Sequence, residues 1–290
     1  MKRILLFLLC VALCLSTACG VKEKEKRVKD GSVVFTAENL PRICATKYTE
    51  KAALNAISAI LGCDENASKS ILVVCDTTDD CYEKLLKNEC DIVLAHEYGS
   101  SVKELLGTTA LNFTATELTK DALIFYTNGS SGVGDVSLEQ LSGIYKGETT
   151  DWSALGGVEM PITLFSQPKK NAVQNAFEKY IPESIELPAV TRPLTTDKGS
   201  FSAEVTYDNR DGALGYTLLS MADDFFGGSI KPLSVTSVAP TKENVANGTY
   251  PLTVSVSVVI RSSEASGNNI RVLYDWLLSE QGKTVLAYFD

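Results

Sequence analysis

Between Ser137 and Tyr180 the apolar and polar positions specify four elements in succession. Leu138, Leu141, Ile144 and Tyr145 share one face of a short helix, and Ser137 followed three residues later by Gln140 lets side chain and backbone cap each other at its start. Trp152 and Leu155 anchor the next loop, which turns at Gly156-Gly157. Pro161 to Phe165 then alternates like a buried strand, and Asn171 opens a second helix carrying Ala172, Ala176 and Phe177. A strand that feeds a helix N-terminus through a short loop aims free backbone N–H groups at one point, which suits an anion or a polar ligand.

Upstream, a turn at Leu40-Pro41 leads into Arg42 to Thr46, and Ala52, Ala53, Leu54, Ile57, Ile60 and Leu61 are spaced for one buried helix face that Gly62 closes. Ile71 to Cys75 is a continuous apolar run of the kind buried on both faces of a parallel sheet. Asp79 or Asp80 caps a helix through Leu85 and Leu86, and Asp91 to Ala95 is the next buried strand. This β-α-β alternation predicts an α/β unit with right-handed crossovers. Ligands in such sheets collect at the C-terminal strand ends, which puts His96 and Glu97 near a cleft. Further along, Lys120 to Thr127 and Tyr250 to Ile260 read as long strands. Arg271 to Tyr288 predicts C-terminal helices with Val272, Leu273, Trp276 and Leu277 on one face, Trp276 being core.

With 290 residues, 44% of them hydrophobic, the chain is long enough to bury a large core in one or two domains. Met1-Lys-Arg3 followed by the apolar run Ile4 to Leu15 has the form of a signal peptide, too short to span a bilayer comfortably. Ser16-Thr-Ala-Cys19 resembles a bacterial lipobox, so residues 1–18 are expected to be removed and Cys19 to carry lipid, with 19–32 as a charged tether. Loss of Lys2 and Arg3 with the leader takes the formal charge from −9 to −11. So acidic a surface, with no basic stripe, argues against a nucleic-acid partner.

Five cysteines remain after that cleavage: Cys44, Cys63, Cys75, Cys81 and Cys90. The number allows at most two disulfides and one free thiol in a monomer, in a pairing that spacing leaves open. Without a C-x-x-C pair, and with His96 the only histidine, no zinc cluster is expected. The lack of a Gly-x-Ser-x-Gly motif or a metal-ligand set also leaves no catalytic constellation, so neither an enzyme nor a cofactor is expected.

The segment LEQLSGIYKGETTDWSALGG resembles a block of the phosphate-binding proteins of bacterial ABC transporters. The likeness continues through Gly212-Ala-Leu-Gly-Tyr216, Asn247-Gly-Thr-Tyr-Pro251 and Trp276-Leu-Leu-Ser-Glu-Gln-Gly282, in the family's order and at similar spacing. The resemblance implies a type 2 periplasmic-binding-protein fold, two α/β lobes joined by a two-strand hinge. Lobe 1 would comprise 33–127 with 250–290 and lobe 2 residues 128–249. It implies an extracytoplasmic solute-binding lipoprotein, expected to be monomeric and lipid-anchored to the cell membrane, that delivers a small anionic or polar ligand to an ABC permease. The alternative is a non-transport lipoprotein of the same fold acting as sensor or surface interaction module.

By that resemblance, the first ligand loop aligns with Cys44-Ala-Thr-Lys47, where only the Thr46 hydroxyl is kept. The second aligns with Gln167-Pro-Lys-Lys-Asn-Ala-Val173, where Gln167 replaces the family's arginine and Asn171-Ala-Val replaces Ser-Gly-Thr. The expected ligand residues are therefore Thr46, His96, Gln167 and Asn171, with Lys169 and Lys170 as alternative sources of charge and Tyr98 or Tyr216 as a stacking surface for an organic ligand. Losing two charge-assisted hydrogen bonds, at about 1.5–3 kcal/mol each, weakens binding by roughly two to four powers of ten. Inorganic phosphate is expected to bind weakly or not at all.

Overall fold

The computed structural model describes residues 27–28, 33–181, 192–193, 211–226 and 230–286, so the expected leader and Cys19 lie outside the described residues. The chain enters its main sheet at β1 (Ile43–Thr46), whose four side chains are all buried, and passes into α1 (Glu50–Leu61). Ala52, Ala53, Leu54, Ile57 and Ile60 form the buried face of α1, and Gly62 ends it in the left-handed conformation (φ 68°) that glycine adopts without steric cost. A second helix, α2 (Glu65–Ile71), precedes β2 (Val73–Cys75). The expected strand over 71–75 is thus shorter, and it lies at the sheet edge with Val74 exposed rather than covered on both faces. After α3 (Thr78–Leu86), β3 (Ile92–His96) and α4 (Ser100–Gly107) complete this half. Strands β1, β2 and β3 are parallel, with β1 central.

The longest strand, β4 (Phe113–Thr127), leads to α5 (Leu138–Tyr145), where the reciprocal Ser137–Gln140 capping box forms as expected. Trp152 starts a short 3-10 turn, fully buried, and donates its indole N–H to the Gly212 carbonyl at 3.0 Å. Then come β5 (Thr163–Ser166), α6 (Ala172–Tyr180), β6 (Ala213–Leu218), α7 (Leu219–Phe226), β7 (Thr253–Arg261), α8 (Asn269–Leu277) and α9 (Glu280–Leu286). Among the described residues one nine-stranded sheet runs β2-β1-β3-β7-β4-β6-β5, extended by Arg192–Pro193 at its edge and by Lys231–Pro232 beside β4.

Strand β4 makes this continuous. Residues 113–122 pair antiparallel with β7, and 123–126 pair antiparallel with β6. Among the described residues, three apolar clusters line the sheet. One, around Phe125, Tyr145, Trp152, Phe177 and Tyr216, draws on 122–181, 213–235 and 245–254. The other two, around Ile57 with Trp276 and around Tyr82 with Cys44, draw on 35–102 and 258–286. Buried apolar side chains on this scale supply the dominant favourable term for folding.

Arg42 and Arg261 tie this second region together. Arg42 grips Asp91 through its Nε and Nη2, each at 2.9 Å, while Arg261 reaches the same carboxylate at 3.3 Å and the Cys90 carbonyl at 2.7 Å. Burial works to raise the Asp91 carboxyl, but the arginines outweigh it and hold the group below the ordinary carboxylate range. A depressed folded value stabilises above the unfolded value and is lost as pH falls through the folded one. Acid-unfolding curves of the wild type and Asp91→Asn should therefore differ at neutral pH and converge as pH drops below about 4. Parallel curves down to the lowest pH would refute this linkage.

Candidate functional site

The N-termini of α3, α4 and α6 converge where the two sides of the sheet face each other. Thr77 caps α3 by accepting from Asp80 N–H, so neither of the aspartates expected there is the cap. Asp79, one turn inside and buried, points instead at α4. Its Oδ1 accepts from Gly99 N–H at 2.9 Å and from Asn175 Nδ2 of α6 at 2.8 Å, and its Oδ2 accepts from the Ser101 hydroxyl. A Cβ at position 99 would collide with the Asn175 amide, so any larger residue there has to push that side chain away from Asp79. The Asp79 backbone N–H in turn donates to the Lys170 carbonyl at 3.1 Å. Lys170 holds a left-handed φ of 69°, a conformation that costs a non-glycine residue on the order of 1 kcal/mol and is found preferentially at functional sites.

Further contacts join the two sides. Lys170 Nζ meets Glu83 at 2.9 Å, and this hydrogen bond holds the Glu83 carboxyl below its usual range. Lys179 meets Glu97 at 3.0 Å, Asn175 also reaches the Glu97 carbonyl at 3.3 Å, and the Tyr180 hydroxyl donates to the Thr253 carbonyl. Behind them lies a buried carboxylate, Asp121 of β4. It accepts from His96 Nε2 at 3.0 Å, from the Ser220 hydroxyl at 2.6 Å, from Ser220 N–H at 3.1 Å and from Ala122 N–H at 2.8 Å.

Thr46 and His96 end the adjacent parallel strands β1 and β3, and both are buried. The Thr46 hydroxyl shares a hydrogen bond with that of Thr49 at 3.3 Å, and Thr49 reaches across to the Leu94 carbonyl at 2.6 Å. Gln167 and Asn171 lie on the opposite side. Asn171 is the N-cap of α6, its side-chain Oδ1 accepting from Gln174 N–H at 2.7 Å, while Gln167 donates through its side-chain amide to the Tyr216 carbonyl at 3.1 Å. The structure thus brings the expected residues together as two pairs, one on each side, with their side chains largely engaged within their own side. Tyr216 stacks on Phe177 at 4.3 Å and Tyr98 packs on Tyr82 at 4.9 Å, so both rings belong to the apolar clusters. Two buried polar atoms next to the convergence, Thr78 Oγ1 and Gln167 Oε1, keep unspent hydrogen-bonding capacity.

Asp79, Asn175, Asp121, Ser220 and Thr78 are the members that sequence reasoning missed. A signal existed for two of them. Asn175 interrupts the apolar inner face of α6, and Asp121 opens an otherwise apolar run, positions where a polar group is expensive unless partnered. Asp79 carried no such mark, because an acidic residue in the first turn is ordinary helix chemistry.

A family model described as a PBP superfamily domain matches residues 49–289. The Bacillus subtilis (strain 168) phosphate-binding protein PstS is 33% identical over 126 residues. That match covers 43% of this chain and 39% of the relative, so the chain spans well under two thirds of the length of that curated relative. Among solved structures, an ABC-type phosphate transport receptor from Vibrio cholerae is similar with a TM-score of 0.64 at 19% identity, covering 86% of this chain and 98% of that one. A chain from Clostridium perfringens whose crystal structure holds bound phosphate gives a TM-score of 0.62 at 20% identity, covering 84% and 95%. At such identities the structural likeness establishes the fold, the type 2 periplasmic-binding-protein fold expected from the sequence.

Proposed function

Because the chain belongs to the PBP superfamily, we propose that it is the extracytoplasmic solute-binding component of a phosphate-type ABC transporter, taking a small anionic or polar ligand between two lobes. The lobes of this reading are 33–127 with 250–290 and 128–249, hinged on β4 and β7. Cys19 holds the protein to the cell membrane by its lipid, and the partner is an ABC permease. The observation that carries the reading is the convergence of the α3, α4 and α6 N-termini from both sides of the crevice, since helix starts supply free N–H groups and a favourable dipole. Thr46, His96, Gln167 and Asn171 frame that space, and Lys170 brings a positive charge to its edge.

What the crevice already contains weighs against tight binding of inorganic phosphate. Asp79 fixes a negative charge where the helix starts meet and takes up the donors of Gly99, Ser101 and Asn175. A doubly charged anion entering there meets repulsion that weakens every remaining contact. Calorimetric titration with inorganic phosphate at neutral pH is expected to give no binding, or a dissociation constant well above the micromolar range. A submicromolar constant would overturn the weak-phosphate expectation. A thermal-shift screen of small anions and polar solutes is expected to find one that raises the midpoint, because a ligand at 100 times its dissociation constant stabilises by about 2.7 kcal/mol.

The contacts Asp79–Asn175, Lys170–Glu83 and Lys179–Glu97 favour a second reading, in which the lobes stay closed on each other and the lipoprotein acts as sensor or interaction module. A screen without a hit, together with no permease and ATPase encoded beside the chain, selects it.

A further inference from the structure

Three cysteines from two strands and a helix meet inside the fold, and a fourth lies in the same apolar cluster. The sulfurs of Cys44 on β1, Cys75 at the end of β2 and Cys81 in α3 all lie within 4.8 Å of one another, and all three residues are buried. Cys44 and Cys75 are 3.3 Å apart. Cys90, entering β3, is buried in the same apolar cluster, its thiol directed at the Cys81 carbonyl at 3.9 Å. Cys63 stands apart, half-buried beside Ser68. We propose that Cys44, Cys75 and Cys81, with Cys90 as fourth ligand, form a binding site for a thiophilic metal ion of the zinc class.

The geometry favours a metal over the obvious alternative, a disulfide between the two nearest sulfurs. In the parallel register of β1 and β2, Cys44 faces Val73 while Cys75 faces Thr46. Cys44 and Cys75 are therefore offset by one strand spacing across and two residues along, about 8 Å between Cα atoms. Beyond about 7 Å a disulfide requires the backbone to move. A metal does not, because with Zn–S bonds of about 2.3 Å the sulfurs of a tetrahedral thiolate site lie about 3.8 Å apart, close to the spacing of the Cys44, Cys75 and Cys81 sulfurs, which already lie within 4.8 Å of one another. Thiolate ligands select zinc and copper(I) over the hard cations.

Access and charge also fit. A surface cavity of about 300 Å³ has Cys75 in its wall beside four carboxylates, Asp76 and Asp80 among them, against two lysines. Its net negative potential concentrates cations. Binding releases one proton from each thiol that coordinates, and the resulting negative charge lies beside Arg261, which donates to the Cys90 carbonyl at 2.7 Å, and in the same cavity wall as Lys84.

The test is titration of the reduced, metal-free full chain with Co²⁺, followed by displacement with Zn²⁺. One Co²⁺ per chain is expected to give an intense thiolate-to-metal absorption, and Zn²⁺ to abolish it and to protect the cluster thiols from alkylation. Because the full chain keeps Cys10, Cys14 and Cys19, variants locate the ion. Cys75→Ser and Cys81→Ser are expected to weaken binding by more than about 100-fold, beyond what an outer-shell change costs, and Cys63→Ser to leave it unchanged. The proposal is overturned if Co²⁺ gives no thiolate absorption, if Cys75→Ser binds as tightly as the wild type, or if mass spectrometry finds the cluster closed by a disulfide in air with no metal taken up beforehand. Should a serine variant fail to fold, absorption and thiol protection in the wild type decide the matter.

Discussion

Asp79→Ala should lower the unfolding free energy by about 3–5 kcal/mol, because it leaves the Gly99 N–H, the Asn175 amide and the Ser101 hydroxyl without their acceptor. The residue is 1% exposed, so neither Gly99 N–H nor the Asn175 amide gains water in exchange for the lost carboxylate. Each buried donor left without an acceptor costs about 1–3 kcal/mol. The charge is also placed to favour the starts of α3 and α4, which loses a further few tenths of a kcal/mol. Asp79→Asn keeps one acceptor oxygen but aims an NH₂ at groups that are themselves donors, so it should fall between wild type and alanine. Urea unfolding of the three proteins tests the order. A loss under about 1 kcal/mol for alanine would mean that the three donors find other acceptors. Hydrogen exchange adds a local readout, because the amides of 171–175 should open faster in the variant if Asp79 helps hold the two sides together.

For Asp121 the comparison of single and double variants is more informative than either alone. Asp121→Leu takes the acceptor from the buried His96 Nε2, the half-buried Ser220 hydroxyl and the Ser220 and Ala122 N–H groups, and at about 1–3 kcal/mol for each buried donor left unpaired it should cost about 3–5 kcal/mol. His96→Leu leaves the carboxylate with its two backbone N–H bonds and the Ser220 hydroxyl, and should cost less. Replacing both partners by apolar side chains removes the mismatch between them, which can approach neutrality. The double variant is therefore expected to lose at least about 1 kcal/mol less than the sum of the singles. Additivity within about 0.5 kcal/mol, the behaviour of independent sites, would show that the two groups are not energetically coupled.

Local elements were legible because their information is local. The Ser137–Gln140 pair, Gly62 after an apolar helix face and Asn171 before Ala172 each satisfy or terminate backbone hydrogen bonding within a few residues, and all three formed where expected. The burial of Trp276 followed from its place on an apolar helix stripe. Among the described helices that escaped, which also include α4, α7 and a short turn of helix over Lys242–Ala246, α2 reads Glu-Asn-Ala-Ser-Lys-Ser-Ile, with Ser68 its only buried residue, so no apolar period announced it. Ile71 to Cys75 looked fully buried because its composition was apolar, yet a strand's neighbours are set by sheet order, and sheet order put β2 at the edge.

Read alone, the amino-acid sequence specifies much of the helix–strand alternation, the caps at Ser137 and Asn171 and the stop at Gly62, the apolar faces and, through four short blocks in order, the family. Only the tertiary structure decided which polar side chains meet. Asp79 and Asn175 are 96 residues apart, and Asp121 and Ser220 are 99 apart. Cys44, Cys75 and Cys81 converge only because β1 and β2 are parallel neighbours in one register with α3 packed against them. Helix and strand periods carry information over a turn or two of chain, whereas the partner of a buried carboxylate or thiol is chosen by sheet register and helix packing, for which a single sequence holds no local mark.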